Sequence, residues 1–234
     1  MQFKEIANKL MIITNFKEIK TLIDKSELLI FDFDGVLVDS TRLKARAFGL
    51  LYKPYGDEVV EKILLHNESF GGLSRFEKIA YYHLNFLGQK IDNSKIIQLA
   101  GDFSELVKAQ VIASPEIPGS NNFLESYNGK IKCVINSATP QSEIREIIEE
   151  RNMSAFFLEI LGSPSSKVEN LNKLLKSQST SVDQALFFGD TESDLQAAEE
   201  VGVKFVGVGD KMIDILSSKK EIFYHINDFL DVVD

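Results

Sequence analysis

The sequence predicts an α/β protein: a doubly wound parallel sheet with an inserted helical subdomain. Three observations predict it. Short apolar runs alternate with amphipathic segments along most of the chain, the pattern of a parallel sheet covered by helices on both faces. That rhythm breaks from about Thr41 to Ser114, where helical spacings recur and no buried strand stands out. Acidic, hydroxyl and amine side chains also follow the C-terminal ends of separate apolar runs, where open α/β sheets place their ligands.

Taken in order, the expected strands are Glu27–Phe33, Ile131–Asn136, Phe156–Ile160, Ala185–Phe188, Val203–Val208 and Ile222–Ile226. Helices are expected over Gln141–Arg151, Ser166–Lys176, Ser193–Val201 and Met212–Ser217. In the first of these, Ile144, Ile147 and Ile148 share one face. Within the break, Leu73, Phe76, Ile79, Ala80, His83 and Leu87 also recur at helical spacing, and Pro115, Pro118 and Gly119 mark the return to α/β rhythm. The division is therefore residues 1–40 and 115–234 for the α/β core and 41–114 for the helical insert. Residues 1–26 read as a helical lead-in, with Phe16, Ile19, Leu22 and Ile23 available to pack on the core.

A chain of 234 residues, 44% hydrophobic and 26% charged, has the make-up of a soluble globular protein. Its formal charge of −9 argues against non-specific nucleic-acid binding, which needs a basic footprint. No apolar run approaches the ~20 residues needed to span a bilayer, and Met1–Leu10 lacks a signal peptide's apolar centre. The single cysteine, Cys133, lies in an apolar run and reads as a buried thiol. The expectation is a cytoplasmic protein without nucleic-acid or membrane partners, its oligomeric state left open.

Four constellations carry chemistry. Leu29-Ile30-Phe31-Asp32-Phe33-Asp34-Gly35 is an apolar run ending in two carboxylates that an extended chain points to one side. Such like charges call for a cation, and a hard divalent ion such as Mg²⁺ takes oxygen ligands. Ser137 follows the second expected strand and precedes Pro140 at an expected helix start, a place suited to an anion or simply to an N-cap. Lys167 opens a helix, against the dipole, which suits either a charge partner or a solvated side chain. Asp190 ends a strand, with Asp194 one helical turn on. Together they suit a Mg²⁺ ion and a phosphate with an aspartate nucleophile between them.

In this order, Asp32-Phe33-Asp34-Gly35-Val36, Ser137, Lys167, and Gly189-Asp190 with Asp194 resemble the four motifs of the haloacid dehalogenase-like (HAD) superfamily. The likeness is to its phosphatase and phosphomutase branch, and the insert resembles that branch's small helical cap. The resemblance implies a Rossmann-like core, Mg²⁺ as cofactor and a small phosphorylated metabolite, such as a sugar phosphate, as substrate. It implies catalysis by Asp32, as nucleophile, and by Asp34, as acid and base. Ser137, Ala138 and Lys167 would hold the phosphoryl group, and Asp32, Asp34 (by its carbonyl), Asp190 and Asp194 the metal. A phosphomutase like β-phosphoglucomutase, or a non-catalytic binding module on the same fold, stands as the alternative.

Substrate choice is expected from the insert. Gly71-Gly72 suggests a turn able to approach a ligand, with Ser74 or Arg75 facing the cleft. Arg75's planar fork suits a carboxylate or another second anionic group. Gly72, Ser74 and Arg75 are the expected specificity residues.

Overall fold

The computed structural model describes residues 12–69, 72–219 and 223–233. Seven strands form one sheet in which every pair is parallel: β1 (Ile12–Ile13), β2 (Leu28–Phe31), β3 (Lys132–Pro140), β4 (Glu159–Ser163), β5 (Ala185–Gly189), β6 (Lys204–Val208) and β7 (Phe223–Ile226). Their order is β1-β7-β6-β5-β2-β3-β4. The chain runs outward from β2 through β3 and β4, then crosses to the other side of β2 for β5, β6 and β7. The direction therefore reverses beside β2, which is where doubly wound sheets open a crevice.

All four residues of β2 are buried, because a central parallel strand has both faces covered. Its alternation sorts the core. Leu29 and Phe31 face one side with α1 (Phe16–Asp24), α6 (Ser120–Tyr127) and α7 (Gln141–Glu150), represented by Ile19, Phe123 and Ile147. Leu28 and Ile30 face the other with α8 (Lys167–Ser177), α9 (Glu192–Val201) and α10 (Lys211–Ser217), represented by Leu171, Leu195 and Met212. Phe31 and Phe188 stack on adjacent strands with ring centres 5.0 Å apart, burying two large apolar side chains directly beneath the site.

Between β2 and α6 the described residues form four α-helices: α2 (Thr41–Tyr52), α3 (Asp57–Ser69), α4 (Arg75–Phe86) and α5 (Asn93–Ala113). Phe48, Tyr82 and Phe103 pack at their centre, Phe48 lying 4.3 Å from Phe103 and 5.6 Å from Tyr82 between ring centres. The chain leaves and re-enters the α/β part through a narrow neck. There Asp39 N–H donates to the Pro115 carbonyl at 2.9 Å and Ile117 N–H to the Leu37 carbonyl at 3.0 Å, flanking an antiparallel bridge between Val38 and Glu116. Arg151, just past α7, braces the neck by donating to the carbonyls of Val111, Ile112 and Ser114 at the end of α5.

Several expected boundaries move. The strand expected over Phe156–Ile160 lies three residues on, and Phe156 closes a 3-10 turn instead. β3 continues four residues beyond Asn136, so Ser137 lies in a strand extension, while α7 begins at Gln141 as expected. The lead-in contains the helix expected, with Ile19 and Ile23 fully buried, but Phe16 is exposed. It also contains β1, a two-residue edge strand on β7 too short to give an alternating signal. Ile222 and residues 1–11 lie outside the described residues. Among those described, no helix is long and apolar enough to cross a membrane.

Candidate active site

The ends of β2, β3 and β5 and the start of α8 bring the four constellations together. Asp32 follows β2 directly and is buried; its Oδ1 accepts from the Phe33 N–H at 2.6 Å and its Oδ2 from Lys167 Nζ at 2.6 Å. Lys167 is the first residue of α8, whose cap is Ser166 in a reciprocal capping box with Glu169. That cap fixes the helix start and aims the lysine back across the sheet, where it also donates to Asp194. Asp194's other oxygen takes the N–H of Thr191 at 3.1 Å and its hydroxyl at 2.5 Å, so the same carboxylate also caps α9.

Asp190 completes the acid group: carboxylate oxygens of Asp32, Asp190 and Asp194 lie within 4.8 Å of one another. Asp190 Oδ1 is buried and has no hydrogen-bond partner among the described residues. An orphaned carboxylate oxygen beside two more acids is poorly served by protein donors and well served by a hard cation. The donor set therefore fits Mg²⁺. Gly35 makes the close approach possible: its φ is +83°, and a Cβ there would stand 2.0 Å from Asp190 Oδ2.

Asp34 stands apart from that cluster. Its Oδ1 accepts from the Ser40 hydroxyl at 2.5 Å, and its Oδ2 from Thr139 Oγ1 at 3.0 Å and from Lys44 Nζ. Both oxygens of the Asp34 carboxylate are thus engaged outside the three-acid cluster. Ser137 is buried and accepts from the Thr139 N–H at 3.1 Å, and Ala138 beside it lines a cavity of about 290 Å³. That cavity continues past Lys167 and is walled by Ser163, Ser166, Ser193 and, from the insert, Gly72 and Ser74. Ser40, Lys44 and Thr139 were missed by sequence reasoning. The signal available was weak: Ser40 and Lys44 lie four residues apart across the start of a helix.

Ionisation follows this geometry. Burial pushes Asp32 up to about 7, with Lys167 pulling the other way. Asp190 is held well above the usual carboxylate range by burial and by the charges of Asp32 and Asp194. Lys167 is raised: burial would lower it, but Asp194 and Asp32 outweigh that. Asp34 is also buried, yet Lys44, Ser40 and Thr139 overcome the desolvation and hold it below its ordinary value.

A family model described as haloacid dehalogenase-like hydrolase matches residues 29–208, which spans all of these groups. The chain belongs to this family. Among HAD proteins, it is 26% identical over 189 residues to a phosphorylated carbohydrates phosphatase of Thermotoga maritima, covering 76% of this chain and 82% of that one. In fold it is similar to a beta-phosphoglucomutase from Clostridium difficile, with TM-score 0.70, 19% identity and coverage of 87% and 91% of the two chains. It is also similar to a HAD-type hydrolase of Bacillus subtilis described as bound to magnesium, with TM-score 0.63, 16% identity and coverage of 88% and 96%.

The insert of this HAD protein corrects one expectation. Arg75 does not face the cleft. It is 5% exposed, and its guanidinium makes two bonds to Glu143 of α7, at 2.6 and 2.7 Å, another to Ser104 at 2.6 Å, and lies 4.7 Å from the Phe103 ring centre. A buried planar fork closed on a carboxylate of its own chain is held by that chain rather than presented to a substrate. Gly72 does reach the core, since a Cβ there would lie 1.9 Å from Ser193 Oγ; Gly71 lies outside the described residues. Ser74 is the N-cap of α4. Arg75→Ala is accordingly expected to cost stability, about 3–5 kcal/mol, by stranding the buried Glu143. Denaturant unfolding checks this, and a loss below about 1 kcal/mol would show the pair to be dispensable.

Proposed function

We propose that the protein is a Mg²⁺-dependent phosphatase that hydrolyses a small phosphorylated metabolite, a sugar phosphate, through an aspartyl-phosphate intermediate. The observation that carries this reading is the clustering of Asp32, Asp190 and Asp194 at the C-terminal ends of the central strands, with Lys167 bonded to Asp32 and Asp194. A fold needs no such cluster, and three carboxylates against one ammonium leave negative charge that a divalent ion would balance. The Thermotoga relative's name supports the substrate class. The four-helix insert is read as a cap over the site.

Asp32, Asp190 and the Asp34 carbonyl would hold the ion, with Asp194 joining directly or through a water. When bound, Mg²⁺ neutralises charge on the transferring phosphoryl oxygens. Asp32 attacks phosphorus, forming one P–O bond as the ester P–O bond breaks. Asp34 gives its proton to the leaving alkoxide, then takes one from the water that attacks the aspartyl phosphate and releases inorganic phosphate. Ser137, Ala138 and Lys167 hold the phosphoryl oxygens throughout. Asp34 is ionised by its present partners, the state that the second step needs. For the first step, the dianionic phosphate arriving beside it raises its proton affinity.

A phosphate-release screen over sugar phosphates with Mg²⁺ tests the reading. Asp34→Asn refines it. The variant is expected to lose ~10²–10⁴-fold on an alkyl phosphate and much less on p-nitrophenyl phosphate, whose leaving group needs no proton. Equal losses on both esters would make Asp34 a scaffold for Lys44 and Thr139 rather than an acid.

A further inference from the structure

The cavity beside Lys167 has walls that the chemistry above leaves unused. The insert contributes Ser74 and Glu77 to it, and the starts of α8 and α9 contribute Ser166 and Ser193. Three of its hydroxyls are engaged: Ser74 donates to Glu77 Oε2 at 2.6 Å, Ser166 accepts from the Glu169 N–H at 3.2 Å, and Ser193 Oγ lies 3.0 Å from Thr191 Oγ1. Ser163, at the end of β4, is different. It is 1% exposed, and its Oγ has no hydrogen-bond partner among the described residues. The backbone leading to it is pinned by Gln141, whose Oε1 accepts from the Gly162 N–H at 2.9 Å and whose Nε2 donates to the Ile160 carbonyl at 2.8 Å. A buried hydroxyl left without a partner costs free energy, and the cavity that Ser163 lines is where a partner can enter. Charge decides what kind. Among the described residues lining the cavity the one cation is Lys167, which is tied to Asp32 and Asp194, whereas Glu77 and Glu200 add two carboxylates. A second anion on the substrate would meet those acids without a cation to offset them, while a neutral hydroxyl both donates and accepts.

We propose that this cavity is the subsite for the part of the substrate that leaves, that it takes a neutral polyhydroxyl group and rejects a second anion, and that Ser163 is the specificity residue that hydrogen-bonds it. The assignment rests on the phosphatase reading and narrows it to monophosphate esters of uncharged polyols. Lys167 stands at the junction: it lines the cavity and serves the transferring phosphoryl group. A volume of about 290 Å³ is at the lower end for a ligand pocket, in keeping with one small polyol.

Matched esters differing only as hydroxymethyl against carboxylate test the charge rule: glucose 1-phosphate with glucuronic acid 1-phosphate, and glycerol 3-phosphate with 3-phosphoglycerate. Affinities are measured by calorimetry on Asp32→Asn with Mg²⁺, so that no turnover intervenes. The hydroxymethyl member of at least one pair is expected to bind about fivefold tighter or more, the effect of one unit charge a few ångströms away in water. Adding Glu77→Gln and Glu200→Gln should bring that ratio close to one. Adding Ser163→Ala instead should weaken the hydroxymethyl member about threefold to tenfold, as for one neutral hydrogen bond, and inorganic phosphate by less than about twofold. The Ser163→Ala protein should also melt no lower than its parent, because the hydroxyl it removes has no partner to lose. No preference for either hydroxymethyl member, a ratio that survives both glutamine substitutions, or an equal loss on inorganic phosphate overturns the proposal. So does a lowered melting temperature for Ser163→Ala, which would make that hydroxyl structural. If wild-type protein turns over no ester yet the binding preference holds, the phosphatase reading fails and the polyol subsite stands.

Discussion

Asp32→Asn is expected to fold normally and to lose about 10⁴-fold or more in kcat on every phosphate ester, the scale seen when an enzyme loses its nucleophile. An amide has no free carboxylate electron pair with which to attack phosphorus. The geometry isolates this effect from folding. The carboxamide oxygen of the variant can still accept from the Phe33 N–H or from Lys167, so the turn after β2 stays anchored. The substitution also removes one negative charge beside Asp190 and Asp194, so the metal-free variant should melt above wild type. A near wild-type rate, in protein shown by mass spectrometry to be free of deamidation, would remove Asp32 from the mechanism.

Chelation with EDTA is expected to abolish turnover and Mg²⁺ to restore it, because a hard-oxygen site selects a hard ion. Full activity after exhaustive chelation would require a metal-free mechanism. Stability provides a second reading. Asp32 and Asp190 have raised proton affinity in the folded protein, so between about pH 4 and pH 7 the folded state binds more protons than the unfolded one. Their contribution to metal-free stability falls as pH rises through that window. The lowered Asp34 acts below it and the raised Lys167 above it, so neither reverses the sign there. Mg²⁺ should therefore raise the melting temperature more at pH 7 than at pH 5. An equal rise at both would argue that the acids are already ionised without the ion.

Legibility in the sequence tracked how local each signal was. Asp32 and Asp190 could be read because an apolar strand ending in an acid is a contiguous pattern, and the structure places both at strand ends. Lys167 could be read locally as a helix opener, and as a charge partner of Asp32 only through the family resemblance, since 135 residues separate them. Thr139 was hidden for a similar reason: the strand runs on past Asn136, and its bond to Asp34 spans 105 residues. Arg75 misled because sequence shows which donors a residue has, not which acceptor reaches it first. Glu143, 68 residues on, was already within the expected helix Gln141–Arg151, but nothing in the chain announced the pair.

The neck at Val38 and Glu116 has a consequence for how this chain can change over time. Its two strands of backbone are hydrogen-bonded to each other before any residue of the insert is counted. The ends of the intervening segment are thus pinned side by side, and the entropy of closing a loop grows only slowly with length, about 0.6 kcal/mol for each doubling. As far as loop closure goes, the segment between residues 41 and 113 can therefore change length at little thermodynamic penalty, apart from contacts of its own such as Lys44 with Asp34 and Arg75 with Glu143. A fixed chemical core with an exchangeable upper storey is the kind of molecule in which selection can try new substrates without rebuilding the reaction.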